Sequence, residues 1–173
     1  MNNMFVESSH NNTLFYNTLL TLSRNIFFYK NILLPDNFET RIYLMFMHAS
    51  IMMIICKKKG KKFDQKSYDL LFYNIENNLR ELGYGDVAVN KKMKDLNKIL
   101  YDILLKIENN NKETFSINDQ LIFKYFKDLS DKNNSKYKYF ERYFLDFYNF
   151  CFEQPIDNMI REALKFKTTY GSS

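Results

Sequence analysis

The sequence predicts an all-α protein, a single-domain bundle of about six or seven helices. Residues that break helices are scarce, with four glycines and two prolines in 173 residues, so long segments run uninterrupted. Apolar residues recur every three or four positions in these segments, and no alternating strand pattern is present. The net charge of +5 fits an anionic partner such as RNA or an acidic membrane surface, although AT-rich codon usage accounts for the same lysine-rich composition.

We expect three parts along the chain: a flexible N-terminus (1–12), a helical core (13–110) and a C-terminal helical extension (111–170) that packs on the core. Cys56 and Cys151 are the only cysteines. Their separation suggests neither a disulfide framework nor a zinc site, and a reducing compartment is the simpler expectation.

The first two predicted helices cover residues 13–29 and 38–58. Periodicity places Ile26 on the buried face of the first. The second contains the most apolar stretch of the chain, residues 42–56, which at about 1.5 Å per residue covers roughly 22 Å, short of a hydrocarbon core of ~30 Å. Because His48 also lies in its middle, we predict a buried central helix and not a membrane span.

Four further helices are predicted over residues 64–82, 87–107, 117–129 and from Pro155 to Phe166, and an aromatic-rich segment precedes the last of them. In the helix over 64–82 the apolar face ends at Leu82, and the helix over 87–107 shows a stripe close to a heptad repeat, which favours antiparallel packing.

The sequence GYGD between the third and fourth helices predicts a tight turn. Gly83 is expected to end the third helix in the left-handed conformation, Gly85 to let the chain reverse, and Asp86 to cap the fourth helix. Lysines then follow where a helix dipole disfavours them, which suggests a binding edge beside the turn. The residues predicted to bind a partner at this basic edge and hairpin are Arg80, Asp86, Lys91, Lys92 and Lys94. A second predicted basic patch surrounds Gly60: Lys57, Lys58, Lys59, Lys61 and Lys62.

The aromatic-rich segment, residues 137–152, holds nine aromatic residues. Part of it forms one apolar stripe, and the rest fall outside that stripe. The residues outside it are a candidate apolar binding surface, although a small bundle packed on all sides accounts for them equally well: Tyr139, Tyr143, Phe150 and Phe152.

The segment NLRELGYGDVAVNKKMK, residues 78–94, resembles the signature of the ubiquinol–cytochrome c chaperone family. That signature has the form N-L-R-E-[ML]-G-x-G-D-x-x-V-x-K-x-[VM]-K. Weaker similarity extends upstream, where Leu34-Pro35-Asp36 is similar to the family's V-P-D and Leu44 with His48 is similar to its L-x-x-x-H. The chain departs from the family pattern at two glycines, which are replaced by Thr40 and by the pair Leu33-Leu34.

The resemblance implies an all-helical assembly factor for respiratory complex III that holds newly made cytochrome b, or a similar apolar membrane subunit, until assembly. It implies no enzyme activity and no cofactor, and as partners the client, a small partner protein and the ribosome. Peripheral contact with an anionic membrane is a further expectation. The alternatives are a basic RNA- or ribosome-binding module, or a peripheral lipid-binding protein, without a chaperone role. The expected location is the bacterial cytoplasm or the matrix side of a mitochondrial inner membrane, and no transit peptide is seen.

Overall fold

A computed structural model describes residues 14–109 and 114–166, and over these ranges the chain is helical with no strand. The all-α prediction is therefore confirmed. The predicted N-terminal part, residues 1–12, lies outside the described residues. The α-helices are α1 (14–23), α2 (Ile26–Lys30), α3 (Phe38–Lys58), α4 (Gln65–Glu81), α5 (Asp86–Asn109), α6 (Asp119–Tyr125), α7 (Ser135–Glu153) and α8 (Met159–Glu162), with 3-10 turns at Lys127–Leu129 and Ala163–Lys165.

Helix α3 is the centre of the bundle. Its bounds are those predicted from the sequence, because the Asn37 side chain caps its first turn by accepting from the Thr40 amide. By length and composition α3 could cross a membrane, but 72% of its most apolar window is buried inside the protein. Helices α5 and α7 pack against it, so the prediction of a buried central helix is confirmed.

The first predicted helix is in fact two helices. Asn25 interrupts it, since its side chain accepts a hydrogen bond from the Phe27 amide at 3.0 Å and thereby starts α2. The break turns Ile26 outward, where it is 56% exposed, and buries Phe27 and Phe28 instead. The prediction that Ile26 belongs to the core was wrong for this reason.

Helices α4 and α5 form a hairpin. Asp64 caps α4, and its carboxylate accepts from the Ser67 amide at 2.8 Å. The predicted heptad-like stripe of α5 is buried or half-buried along its length. Leu82, by contrast, is 60% exposed and does not belong to the apolar face on which it was predicted.

The C-terminal helices are shorter than predicted. The helix expected over 117–129 ends at Tyr125, because Phe126 leaves the helical region with φ −125° and ψ 73°. Pro155 precedes a turn, and the helix expected after it reduces to α8 and a 3-10 turn. Asp102 on α5 holds this region to the core by accepting from the Lys124 ammonium at 2.9 Å and the Tyr125 hydroxyl at 2.5 Å.

Helix α7 is joined to α3 by a buried polar contact. His48 Nδ1 lies 2.6 Å from the Leu44 carbonyl, which can only accept, so Nδ1 carries the proton. Nε2 then accepts from the Tyr143 hydroxyl at 3.0 Å. Burial lowers the pKa of His48 to about 4, so the imidazole is neutral at physiological pH.

Candidate functional site

In the α4–α5 turn, the first of the two glycines has the left-handed conformation that the sequence predicted. Gly83 adopts φ +91°. Its amide donates to the Arg80 carbonyl at 2.9 Å, and the Tyr84 amide donates to the Leu79 carbonyl at 3.2 Å. This pair of bonds is a Schellman motif, which satisfies the last carbonyls of α4 and reverses the chain.

The prediction that Asp86 caps α5 was wrong by one position. The Gly85 carbonyl accepts from the Val89 amide at 2.9 Å, so Gly85 occupies the N-cap position, and Asp86 is the first helical residue. Gly85 is not in the left-handed region. The first turn of α5 therefore lies one residue earlier than predicted. Lys91, the sixth residue of the helix, lies beyond the first turn, where the dipole has little effect.

Arg80 and Asp86 brace the turn internally. Arg80 forms ion pairs with Asp86 and with Glu76, the latter at 2.8 Å. Hydrogen bonds to Asp86 and then Glu76 raise the pKa of the Arg80 guanidinium. The positive charge of Arg80 is thus matched by carboxylates of its own chain and adds little to the predicted basic edge.

The lysines beside the turn remain available to a partner. Lys91 and Lys94 are exposed, and they form no ion pair with any residue the structure describes; nor does Lys92. The Lys92 ammonium lies 4.8 Å over the Tyr84 ring, a cation–π contact that keeps the charge near the surface of the turn.

A groove that the sequence did not reveal runs beside this turn. It has a volume of about 500 Å³ and lies between the end of α1, the start of α3 and the end of α4. Arg41 spans part of it and holds the Asp36 carboxylate at 2.7 Å; hydrogen bonding to Arg41 lowers the pKa of Asp36. Its lining residues are Leu20, Arg24, Asp36, Asn37, Phe38, Arg41, Ile42, Met45, Asn78, Glu81 and Leu82. The groove collects residues from three segments that are far apart in sequence, which is why periodicity could not find it.

The signature residues fall into two groups. One group has a structural role: Asn78 donates to the Tyr16 hydroxyl at 2.9 Å, Leu79 and Val89 are fully buried, and Arg80, Gly83 and Asp86 build the turn. The side chains of the second group face solvent and form no hydrogen bond or ion pair with the described part of the chain: Glu81, Leu82, Lys91 and Lys94. We call this second group, together with exposed Tyr84 and Val87, the turn face.

The second predicted basic patch lies at the other end of α4. Gly60, at φ +70°, ends α3 with a second Schellman motif. Lys57 is paired with Glu108, whereas Lys61 and Lys62 are exposed. Lys58 and Lys59 lie over aromatic rings of α7.

The predicted aromatic surface is only partly at the surface. Tyr143 is fully buried between α2, α3 and the C-terminal turn, where its ring packs on Phe27 and Phe28. It cannot contact a client, and its assignment as a binding residue was wrong. Phe150 is half-buried, and Tyr139 and Phe152 are 42% and 40% exposed. Tyr139 lines a shallow groove of about 400 Å³ between α7 and residues 115–117.

His48 does not form a ligand site. Both ring nitrogens already have hydrogen-bond partners, and the ring is enclosed by Phe28, Phe144 and Phe147. Among the described residues, no group of three or more histidine, cysteine or acidic side chains is placed to hold a metal ion.

The fold and the turn face together define an all-α bundle that presents apolar and basic side chains at one hairpin, an arrangement suited to binding other macromolecules. The model of the ubiquinol-cytochrome C chaperone family matches residues 30–114, about half of the chain. Residues 30–114 belong to this family, as the sequence resemblance indicated. Membership implies a chaperone role in the assembly of complex III, through binding of one of its subunits. No curated protein and no solved structure matches the chain significantly.

Proposed function

We propose that this protein holds newly made cytochrome b, or a similar apolar membrane subunit of complex III, until assembly, and that the turn face is the surface it uses. One observation carries this proposal. Four residues that match the family signature, Glu81, Leu82, Lys91 and Lys94, are exposed, and their side chains form no hydrogen bond or ion pair with the described residues. A role outside the chain explains why such residues occur in the signature.

The chemistry of the turn face suits such a client. Leu82, Tyr84 and Val87 are 60%, 40% and 86% exposed, and an unassembled membrane subunit exposes apolar helices that can cover them. Unpaired lysines beside these residues attract acidic groups, such as those of a small partner protein or of ribosomal RNA near the exit of the nascent chain. The adjoining groove offers about 500 Å³ of further space to a client side chain or turn.

Site-specific photo-crosslinking during translation tests the proposal. A photoreactive residue replaces Leu82 in one variant and Leu105 in the other; Leu105 is similarly exposed, at 53%, but lies outside the turn face. We expect a crosslink to nascent cytochrome b from position 82 and none from position 105. Equal crosslinking from both positions, or crosslinking from 105 alone, would contradict the assignment of the surface.

Complementation of cells that lack the protein supplies the functional readout. Lys91→Glu with Lys94→Glu should leave the melting temperature close to that of the unmodified protein, because both side chains are exposed on α5 beyond its first turn. The same variant should fail to restore complex III. Full restoration by a folded variant would show that the lysines have no part in assembly.

A further inference from the structure

The turn between α3 and α4 forms a second charged surface that the proposed chaperone site does not use. Five lysines within nine residues form no ion pair with the described part of the chain: Lys58, Lys59, Lys61, Lys62 and Lys66. Lys57, next to them, is neutralised by Glu108. The Gly60 Schellman motif fixes the turn that brings these lysines together.

An aromatic stack from the C-terminal part of the chain borders these lysines. Phe115 and Tyr148 stack at 4.0 Å with an angle of 7°, and Tyr148 stacks on Phe152 at 5.6 Å. The Lys58 ammonium lies 5.3 Å over the Tyr148 ring and 3.2 Å from its hydroxyl. The Lys59 ammonium lies 5.1 Å over the Phe152 ring. Phe152 is 40% exposed, so basic and aromatic side chains form one continuous surface, which we call the lysine edge.

We propose that the lysine edge docks on an anionic lipid surface, with the lysines at the phosphate level and the exposed part of Phe152 in the interfacial layer. Basic residues near an anionic membrane attract it electrostatically, and an exposed aromatic side chain beside them adds apolar contact at the same depth. This function goes beyond the binding of a client and does not depend on it, since the turn face lies at the opposite end of α4.

The stack favours a membrane over RNA as the partner. Sequence-independent RNA binding uses aromatic rings with a face open to a base. The Tyr148 ring and the Lys59 ammonium both lie over the Phe152 ring. A nucleic acid base would have to compete with them for that ring. Insertion into a lipid interface requires no free ring face.

Tryptophan fluorescence tests the proposal at the level of single positions, because the chain contains no tryptophan. One variant carries Phe152→Trp and the other Tyr84→Trp; both native side chains are 40% exposed, which makes the second a matched control. With vesicles of phosphatidylcholine and phosphatidylglycerol, emission from position 152 should shift to the blue and emission from position 84 should not. No shift at 152, or equal shifts at both positions, would overturn the proposal, as would a response at 152 to polyuridine but not to vesicles.

Matched charge variants give the second readout. Each lysine near the surface contributes about fivefold to vesicle partitioning, so Lys61→Gln with Lys62→Gln should lower it about 25-fold. Lys91→Gln with Lys94→Gln removes the same charge from two exposed positions of the turn face and should change partitioning less than twofold. A similar loss in both pairs would show a general charge effect and would overturn the site. Crosslinking of cytochrome b from position 82 should be unchanged by the first pair in a membrane-free translation, so failure of this inference and failure of the chaperone proposal remain distinguishable.

Discussion

The same substitution at the two glycines of the α4–α5 turn should change stability in opposite directions. An added Cβ meets no heavy atom within 4 Å at Gly83 or at Gly85, so packing does not distinguish the two positions and only the backbone does. Gly83 has φ +91°, and Gly85 lies outside the left-handed region at the N-cap of α5.

At Gly83, serine meets the left-handed penalty of about 1–2 kcal/mol, partly offset by about 0.4–1 kcal/mol from a less flexible unfolded chain. We expect Gly83→Ser to lower the free energy of unfolding by about 1 kcal/mol. At Gly85 the unfolded-state effect is favourable, and a serine hydroxyl caps α5 better than glycine by a few tenths of a kcal/mol. Gly85→Ser should therefore raise the free energy of unfolding by roughly 0.5–1 kcal/mol.

Thermal denaturation followed by circular dichroism measures both effects. For a chain of this size 1 kcal/mol corresponds to about 2–4 °C, so Gly83→Ser should melt about 3 °C lower and Gly85→Ser about 2 °C higher than the unmodified protein. Urea denaturation at 25 °C checks that the order holds without extrapolation from high temperature. Shifts of the same sign, or an unchanged melting temperature for Gly83→Ser, would refute the backbone argument.

Three further predictions follow from other residues. Leu33 has φ +62°, so Leu33→Gly should be more stable than Leu33→Ala by about 0.5–1 kcal/mol in urea denaturation; equal stability of the two variants would show that the backbone is not strained there. Burial lowers the pKa of His48 from its ordinary value of 6.5 to about 4 in the folded state. The folded state thus disfavours the proton, and stability present above pH 6.5 should fall by roughly 3 kcal/mol as the pH drops to 4. The His48→Gln variant should not show this loss. If the free energies of unfolding of the two proteins changed in parallel with pH, His48 would not be the cause of the loss. Partial burial opposes ionisation of Asp102, but hydrogen bonds from Lys106, Tyr125 and Lys124 hold its pKa well below the usual range. Asp102→Asn should cost about 1–2 kcal/mol in the same assay, and a change below 0.3 kcal/mol would show that this contact does not secure α6.

Local signals predicted the central hairpin and helix well. The bounds of α3 follow from a capping asparagine at its start and from a lysine-rich turn with glycine at its end. Gly83 was assigned correctly because α4 ends in this segment, and the residue that follows a helix end commonly adopts the left-handed conformation that glycine favours. Such features depend on neighbours within four residues, and a sequence displays those neighbours directly.

Features that depend on distant contacts could not be predicted. Tyr143 falls outside the main stripe of α7 by periodicity, yet it is buried because α7 packs against α2, α3 and the C-terminal turn at once. A single stripe describes a helix with one neighbour, and α7 has several. Asn25 broke the first helix by capping α2, although it lies within a pattern that continues through it. The groove beside the turn face likewise exists only once three segments meet.

The contact between His48 and Tyr143 links the part of the chain that matches the family to the part that does not. A fragment truncated at residue 114 would lack α7. The His48 imidazole would then lose the Tyr143 hydroxyl as its donor, and the face of α3 that packs against α7 would be exposed to water. We therefore expect both parts of the chain to unfold as a single cooperative unit. A fragment cut at the family boundary should aggregate and should not fold as a minimal domain.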